Sequence, residues 1–125
     1  MTGYLMVFLG AGLGGTLRQG VSIACLRLFG SGFPFGTLTV NILGSIIMGV
    51  LTGLFATRIE ASQGLRLFLT TGMLGGFTTF STFSLDTVTL FERGEVGTAI
   101  GYAVGSLAAG IAGLFIALLV LRRFA

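Results

Sequence analysis

Three long stretches without a charged side chain constrain the fold of this chain most. The stretches 28–57, 67–85 and 96–121 contain no Asp, Glu, Lys or Arg. A helix needs about 20 mainly apolar residues to cross the hydrocarbon core of a bilayer. A fourth apolar stretch near the amino terminus is interrupted by Arg18. The pattern predicts an all-α membrane protein with four transmembrane helices.

The composition argues against several classes of function. Only 9% of the 125 residues are charged, whereas a soluble domain carries about 25%. The seven arginines are dispersed, mostly near predicted helix ends, so no nucleic-acid partner is expected. Without His, and with Cys25 as the single cysteine, the chain cannot assemble a His/Cys zinc site or a Cys–His dyad. We predict that it is not an enzyme and that Cys25 is a buried structural thiol.

Turn residues divide the chain into four predicted helices, at 4–28, 36–57, 65–92 and 96–121. Pro34 and its neighbouring glycines mark the first connection. The three predicted loops are 30–36, 58–64 and 92–97. No stretch remains for a further domain, so 1–125 is predicted to be a single four-helix transmembrane domain.

Small residues recur at every fourth position, a spacing that lets helix backbones approach closely. Helix 4 carries them at Gly97, Gly101, Gly105, Ala109 and Gly113, and helix 2 at Ser45, Gly49 and Gly53. We interpret these glycines as packing positions. Because four short helices cannot easily enclose a pathway, the small faces also predict an oligomer, most simply a dimer. The arginines favour cytoplasmic termini only weakly, as expected for a chain inserted in both orientations and for many small membrane proteins.

Several polar residues fall within the apolar stretches. Thr37, Asn41 and Ser45 share one face of helix 2. Asn41 either forms an interhelical hydrogen bond, worth about 1 kcal/mol, or presents an amide donor to an ion. Tyr102 and Ser106 share a face of helix 4, where they either line a polar path or bond to neighbouring carbonyls.

Two charged residues also lie within predicted helices. Arg18 either extends its head group to the membrane surface or a helix-end carbonyl, or draws anions towards a vestibule. Asp86 pairs with an arginine such as Arg18 or Arg93, or orients local hydroxyls.

The motif GGFTTFSTFSLD, 75–86, interrupts an otherwise apolar stretch. Gly75 and Gly76 weaken a helix at its middle, and Thr78 and Thr79 can bond to the freed backbone. We therefore predict that helix 3 is discontinuous around residues 75–79. A helix broken within the membrane exposes carbonyl oxygens, which are good ligands for a small cation.

The second part of the motif has the character of an anion site. Phe80 and Phe83 lie three residues apart, on one face of the helix. An aromatic ring has a positive edge, so both rings can stabilise an anion without a full positive charge nearby. The hydroxyls of Ser81, Thr82 and Ser84 would add donors, whereas a cation site would carry more acids.

Three motifs together resemble the Fluc (CrcB) fluoride ion channel family. They are GAGLGGTLR at 10–18, GTLTVN at 36–41 and GGFTTFSTFS at 75–84. The last is highly specific, and the resemblance extends over essentially the whole chain. It implies an antiparallel, dual-topology homodimer in the inner (plasma) membrane of a bacterium. That dimer would contain two pores for passive export of fluoride from the cytoplasm, which relieves fluoride toxicity.

Two other classes of membrane protein fit the sequence less well than this family. A proton-coupled small dual-topology exporter needs a titratable acid deep in the membrane, and Asp86 lies towards a helix end. A non-transporting membrane assembly subunit would need neither the polar interruption nor the face of phenylalanines and hydroxyls.

The resemblance also assigns roles to single residues. The backbone carbonyls of Gly75 and Thr78 would hold a structural Na⁺ at the dimer interface. The rings of Phe80 and Phe83 would contact fluoride. The other matching positions are Asn41 in the pore, Tyr102 and Ser106 in a track of hydroxyls on helix 4, and Arg18 in helix 1. Asp86 departs from the family pattern, which has Glu there, so a contact needing the longer side chain is in doubt.

Overall fold

The computed structural model describes residues 1–124, which contain helices and turns but no strand. The helices are α1 (Thr2–Phe29), α2 (Phe35–Thr57), α3 (Gln63–Leu67), a π-helical segment (Phe68–Leu74), α4 (Gly75–Phe77), α5 (Phe80–Glu92) and α6 (Val96–Arg123). We call residues 63–77 the first half-helix and α5 the second half-helix, because together they occupy the predicted third span. The predicted ends of the four spans lie within two residues of the observed ends.

Two helices in the described part of the chain are long and apolar enough to cross a membrane, namely α2 and α6. The other two predicted spans do not meet this criterion of length and apolar composition. Arg18 lies within α1, and the third span is interrupted, so neither forms one long apolar helix. The two apolar helices support a membrane protein.

The interruption of the third span lies at two threonines. Thr78 (φ −93°, ψ 159°) and Thr79 (φ −152°, ψ 122°) have extended backbones, and α5 begins at the next residue. Gly75, by contrast, is helical (φ −61°, ψ −39°), and Gly76 lies within α4. The two glycines therefore do not themselves leave the helix, although the sequence suggested them as its weak point.

Close packing against α1 explains why glycine occupies these helical positions. The first half-helix runs parallel to α1, with Gly72 and Gly76 against Gly10 and Ala11. A Cβ atom added at Gly76 would lie 2.5 Å from the Ala11 carbonyl oxygen. Such an approach is possible only without side chains, so the glycines fix the spacing of the two backbones.

Glycines also allow α2 and α6 to pack closely over part of their length. A Cβ at Gly49 would lie 2.6 Å from the Leu114 carbonyl oxygen, and one at Gly113 would lie 2.7 Å from Ile46. The prediction of close packing is confirmed at these positions. Gly97, Gly101 and Gly105, however, have open space where a side chain would go. Their face of α6 points away from the chain, because α6 packs through Tyr102, Ser106, Gly110 and Ala117 instead.

A small apolar core closes the end of the bundle where α5 meets α6. Leu90, Ala99 and Tyr102 are buried there, with Phe33, Leu38 and Phe83 packed around them. The second half-helix is therefore positioned by side chains. Elsewhere, Cys25 is 9% exposed and its sulfur lies 3.9 Å from Thr39 Oγ1, which confirms the prediction of a buried thiol.

Candidate functional site

A cleft of about 310 Å³ opens where the two half-helices meet. It lies between α2, the interruption and α6. Six of the residues predicted from the sequence line it, namely Asn41, Gly75, Thr78, Phe80, Phe83 and Ser106. The fold thus gathers residues from three helices around the interruption.

The interruption is held in place by Asn41. Its Oδ1 accepts a hydrogen bond from the backbone N–H of Thr79 at 2.8 Å, and its Nδ2 donates to the Thr79 carbonyl at 3.0 Å. Both polar backbone groups of an extended residue are thereby paired within an apolar bundle. Asn41 therefore forms the interhelical hydrogen bond that was one of its two predicted roles, and it also lines the cleft.

Opposite helix ends meet at the interruption. α4 ends at Phe77, so its last carbonyls point towards the junction, whereas α5 begins at Phe80 with its first amides there. Carbonyl ends favour cations and amide ends favour anions. Thr79 caps α5, because its Oγ1 accepts from the N–H of Thr82 at 3.2 Å. The junction therefore offers sites of both polarities.

Arg18 binds a carbonyl at this junction. Its Nε donates to the Gly76 oxygen at 3.1 Å, and its side chain is half-buried. The guanidinium thus satisfies one of the carbonyls that the end of α4 leaves without a helical partner. Of the alternatives drawn from the sequence, this geometry supports the bond to a helix-end carbonyl.

Two phenylalanine rings form one wall of the cleft. The rings of Phe80 and Phe83 have centroids 5.8 Å apart and are tilted by 46°. Phe83 is half-buried and continues to Tyr102, whose ring lies 5.3 Å away. Phe80 is 75% exposed, so packing within this chain accounts for little of its surface.

The hydroxyls of the motif are distributed differently from the phenylalanines. Ser84 Oγ donates to the Phe80 carbonyl of its own helix at 3.0 Å, and exposed Ser81 lies 3.4 Å from Thr79 Oγ1. Neither these serines nor Thr82 lines the cleft. Ser106 does line it, and within the described residues its buried Oγ has no hydrogen-bond partner.

Tyr102 and Asp86 lie behind the phenylalanine wall. Tyr102, which is 2% exposed, donates its hydroxyl proton to Asp86 Oδ2 at 3.1 Å. Arg93 instead forms an ion pair with Glu95 at 3.8 Å. The geometry therefore supports the alternative in which Asp86 orients a hydroxyl. That hydroxyl belongs to α6 rather than to the motif.

Thr79 lines the cleft but was not among the predicted site residues. Thr79 has both its backbone and its hydroxyl engaged in holding the junction. Threonine three residues before Thr82, at the start of a helix, is a common amino-terminal cap. That signal was available, but its use depends on knowing that a new helix begins at Phe80.

An apolar helical bundle with an interrupted helix, and a cleft at the interruption that contains a few polar side chains, is typical of membrane proteins that bind or conduct ions. The comparison with known proteins narrows this class to a family. Residues 5–118 match the family described as CrcB-like protein, Camphor Resistance (CrcB). The chain belongs to this family.

Relatives from several bacteria cover nearly the whole chain. A protein of Methylobacterium nodulans named Fluoride-specific ion channel FluC is 59% identical over 124 residues, which are 99% of each chain. Fluoride-specific ion channel FluC 2 of Nitrobacter hamburgensis is 53% identical over 120 residues, or 96% of this chain and 97% of its own. The Fluoride-specific ion channel FluC of Paracoccus denitrificans is 57% identical over 115 residues, which are 89% of this chain and 90% of its own.

Proposed function

We propose that the protein is a fluoride-selective ion channel that exports F⁻ passively from the cytoplasm. One observation carries this: relatives at 50–59% identity, over nearly their whole length, are named fluoride-specific ion channels. A channel catalyses no chemical step. The resemblance noted in the sequence points to the same function.

The cleft contains groups that suit a small, strongly hydrated anion. The positive ring edges of Phe80 and Phe83, the amide of Asn41 and the unpaired hydroxyl of Ser106 would replace part of its water shell. Asn41 Nδ2 has two protons, and the Thr79 carbonyl takes one of them. Because these groups are neutral, they bind an anion weakly enough to release it.

We further propose that the functional unit is an antiparallel homodimer. The cleft is open along one side, and Phe80 and Gly75 are exposed in a single chain. Polar backbone facing lipid is costly, so a second copy covering this side would remove the cost. The outward glycines of α6 offer further surface for close approach. Insertion in both orientations, in the bacterial inner membrane, accords with the weak arginine bias between the two sides.

A structural Na⁺ at the dimer interface also fits the residues present. Gly75 and Thr78 both line the cleft, and the amides that would bond to their carbonyls in a continuous helix are engaged elsewhere. Carbonyl oxygens without partners suit a hard monovalent cation. The carbonyls of these two residues would hold the ion, and it would supply positive charge at the interface.

Fluoride efflux from liposomes tests the channel directly. Purified protein is reconstituted in vesicles loaded with potassium fluoride, diluted into fluoride-free buffer, and given valinomycin to carry the balancing K⁺. We expect rapid fluoride release, measured with a fluoride electrode, and no comparable release of chloride from matched vesicles. Equal release of both ions, or no release from folded protein, would contradict the proposal.

Labelling of a single cysteine tests the orientation. Ser31→Cys places a thiol in the exposed loop after α1, in a Cys25→Ser background. A membrane-impermeant maleimide added outside should label about half of the molecules, and opening the membrane should label the rest. Labelling of nearly all or nearly none from outside would contradict dual topology.

A further inference from the structure

The contact between Asn41 and Thr79 resembles one step of a β-ladder. Thr79 has an extended backbone, and the amide of Asn41 both accepts from its N–H and donates to its carbonyl. A side-chain amide carries both an acceptor and donors, so it can satisfy both sides of a single extended residue. Asn41 therefore stabilises the conformation that departs from the helix.

This contact has a consequence one helical turn earlier. In a continuous helix the Thr79 N–H would bond to the carbonyl four residues before it, which is that of Gly75. Here Asn41 takes that donor at 2.8 Å. The Gly75 carbonyl is thereby left without its helical partner.

The Thr78 carbonyl also lacks its helical donor. The helical donor for the Thr78 carbonyl would be the N–H of Thr82. That N–H bonds instead to the side chain of Thr79 at 3.2 Å. The helical donors of both carbonyls are thus taken by side-chain acceptors, and both residues line the cleft. Between them, the Gly76 carbonyl is occupied by Arg18.

We propose that Asn41 and Thr79 are positioning residues that prepare the cation site by withdrawing the amide donors from the Gly75 and Thr78 carbonyls. This inference rests on the proposed function, since it assigns these two residues to the sodium site proposed above. Neither side chain needs to touch the ion. Without the two acceptors, the helix can close its own hydrogen bonds across the junction and the free carbonyls are lost.

The test measures sodium-dependent stability rather than transport. The melting temperature of the purified, detergent-solubilised protein is compared in NaCl and in N-methylglucamine chloride of equal ionic strength. Because an ion that binds only the folded state raises its stability, the wild type is expected to melt higher in sodium. Asn41→Leu and Thr79→Val remove one acceptor each at nearly constant volume. Each should abolish at least about half of the sodium-specific shift.

Two variants serve as matched controls. Thr79→Ser keeps the hydroxyl acceptor and should restore the full sodium shift. Thr87→Val makes the same change as Thr79→Val, but Thr87 Oγ1 donates to the Phe83 carbonyl within α5, so its sodium shift should equal that of the wild type. If Asn41→Leu fails to fold, the comparison of the Thr79 variants remains decisive.

The outcomes separate this inference from the channel function. A full sodium shift in both Asn41→Leu and Thr79→Val would overturn the positioning role. A wild type that conducts fluoride but melts equally in both salts would overturn the cation site and leave the channel intact. Absence of fluoride efflux, together with a sodium shift lost in the two variants, would overturn the function and support the positioning role.

Discussion

The two half-helices of the third span are held by different kinds of contact. The first half-helix lies against α1 backbone to backbone, through glycines that leave no room for a side chain. The second half-helix lies against α6 through side chains, namely the ring contact of Phe83 with Tyr102 and the hydrogen bond of Asp86 with Tyr102. Phe80, at its start, is largely exposed.

This difference indicates which residues tolerate change. Backbone contacts cannot adapt to an added atom, because protein interiors are closely packed. Substitutions in the first half-helix should therefore act on folding. Side chains at the start of the second half-helix contribute little to packing, so substitutions there should act on transport and leave the fold intact.

The largest expected effect is at the contact between α1 and the first half-helix. In Gly14→Ala the added methyl group would collide with the backbone of Met73. We expect a loss of about 3 kcal/mol of stability, typical of severe overpacking, with a lower melting temperature and poor recovery of folded protein.

Its control is the adjacent residue. Gly15 has open space at the Cβ position, so Gly15→Ala should be neutral or stabilise the helix by about 0.5–1 kcal/mol. Equal melting temperatures for the two variants would show that the backbone contact does not hold the first half-helix.

A smaller effect is expected at Arg18, which ties α1 to the end of the first half-helix. Arg18→Met keeps the aliphatic stem but loses the bond to the Gly76 carbonyl. We expect a loss of about 1.5 kcal/mol, the lower end for a bond involving a charged group, measured by thermal unfolding. Arg18→Lys should recover part of it, and a melting temperature unchanged in Arg18→Met would refute this role.

The smallest effect is expected where α5 meets α6. Tyr102→Phe removes the hydroxyl that donates to Asp86 and should cost about 1 kcal/mol. Tyr4→Phe, on an 82% exposed side chain, should cost nothing measurable. Asp86→Glu tests whether a longer acid can keep the bond to Tyr102. If Tyr102→Phe lost more stability than Gly14→Ala, the second half-helix would depend on its contacts more than the first, contrary to this account.

Local patterns allowed much of the fold to be predicted from the sequence. Apolar length and turn residues depend on neighbouring positions only, so the four spans were placed to within two residues. The Asn41–Thr79 contact joins residues 38 positions apart, and nothing local distinguishes it from a contact of Asn41 with an ion. The helical state of Gly75 and Gly76 likewise follows from the approach of α1, which overrides their weak helix propensity.

The phenylalanines Phe80 and Phe83 line the cleft, whereas the hydroxyl residues between them do not. Successive residues of a helix are about 100° apart, so Ser81 and Thr82 point away from the side that Phe80 and Phe83 share. Proximity in sequence suggested a common site for all four. Helical geometry brings Ser106 of α6 to the cleft instead.

Fluoride efflux from vesicles containing Phe80→Ile tests most directly whether the start of the second half-helix serves transport. Isoleucine keeps the apolar bulk but removes the ring edge. Phe91→Ile is the matched control, since Phe91 is 60% exposed on the same helix and does not line the cleft. We expect both variants to fold, Phe91→Ile to release fluoride like the wild type, and Phe80→Ile to release it at least about tenfold more slowly, a change of about 1.4 kcal/mol in the barrier. Wild-type efflux by folded Phe80→Ile would contradict the role of the ring in conduction.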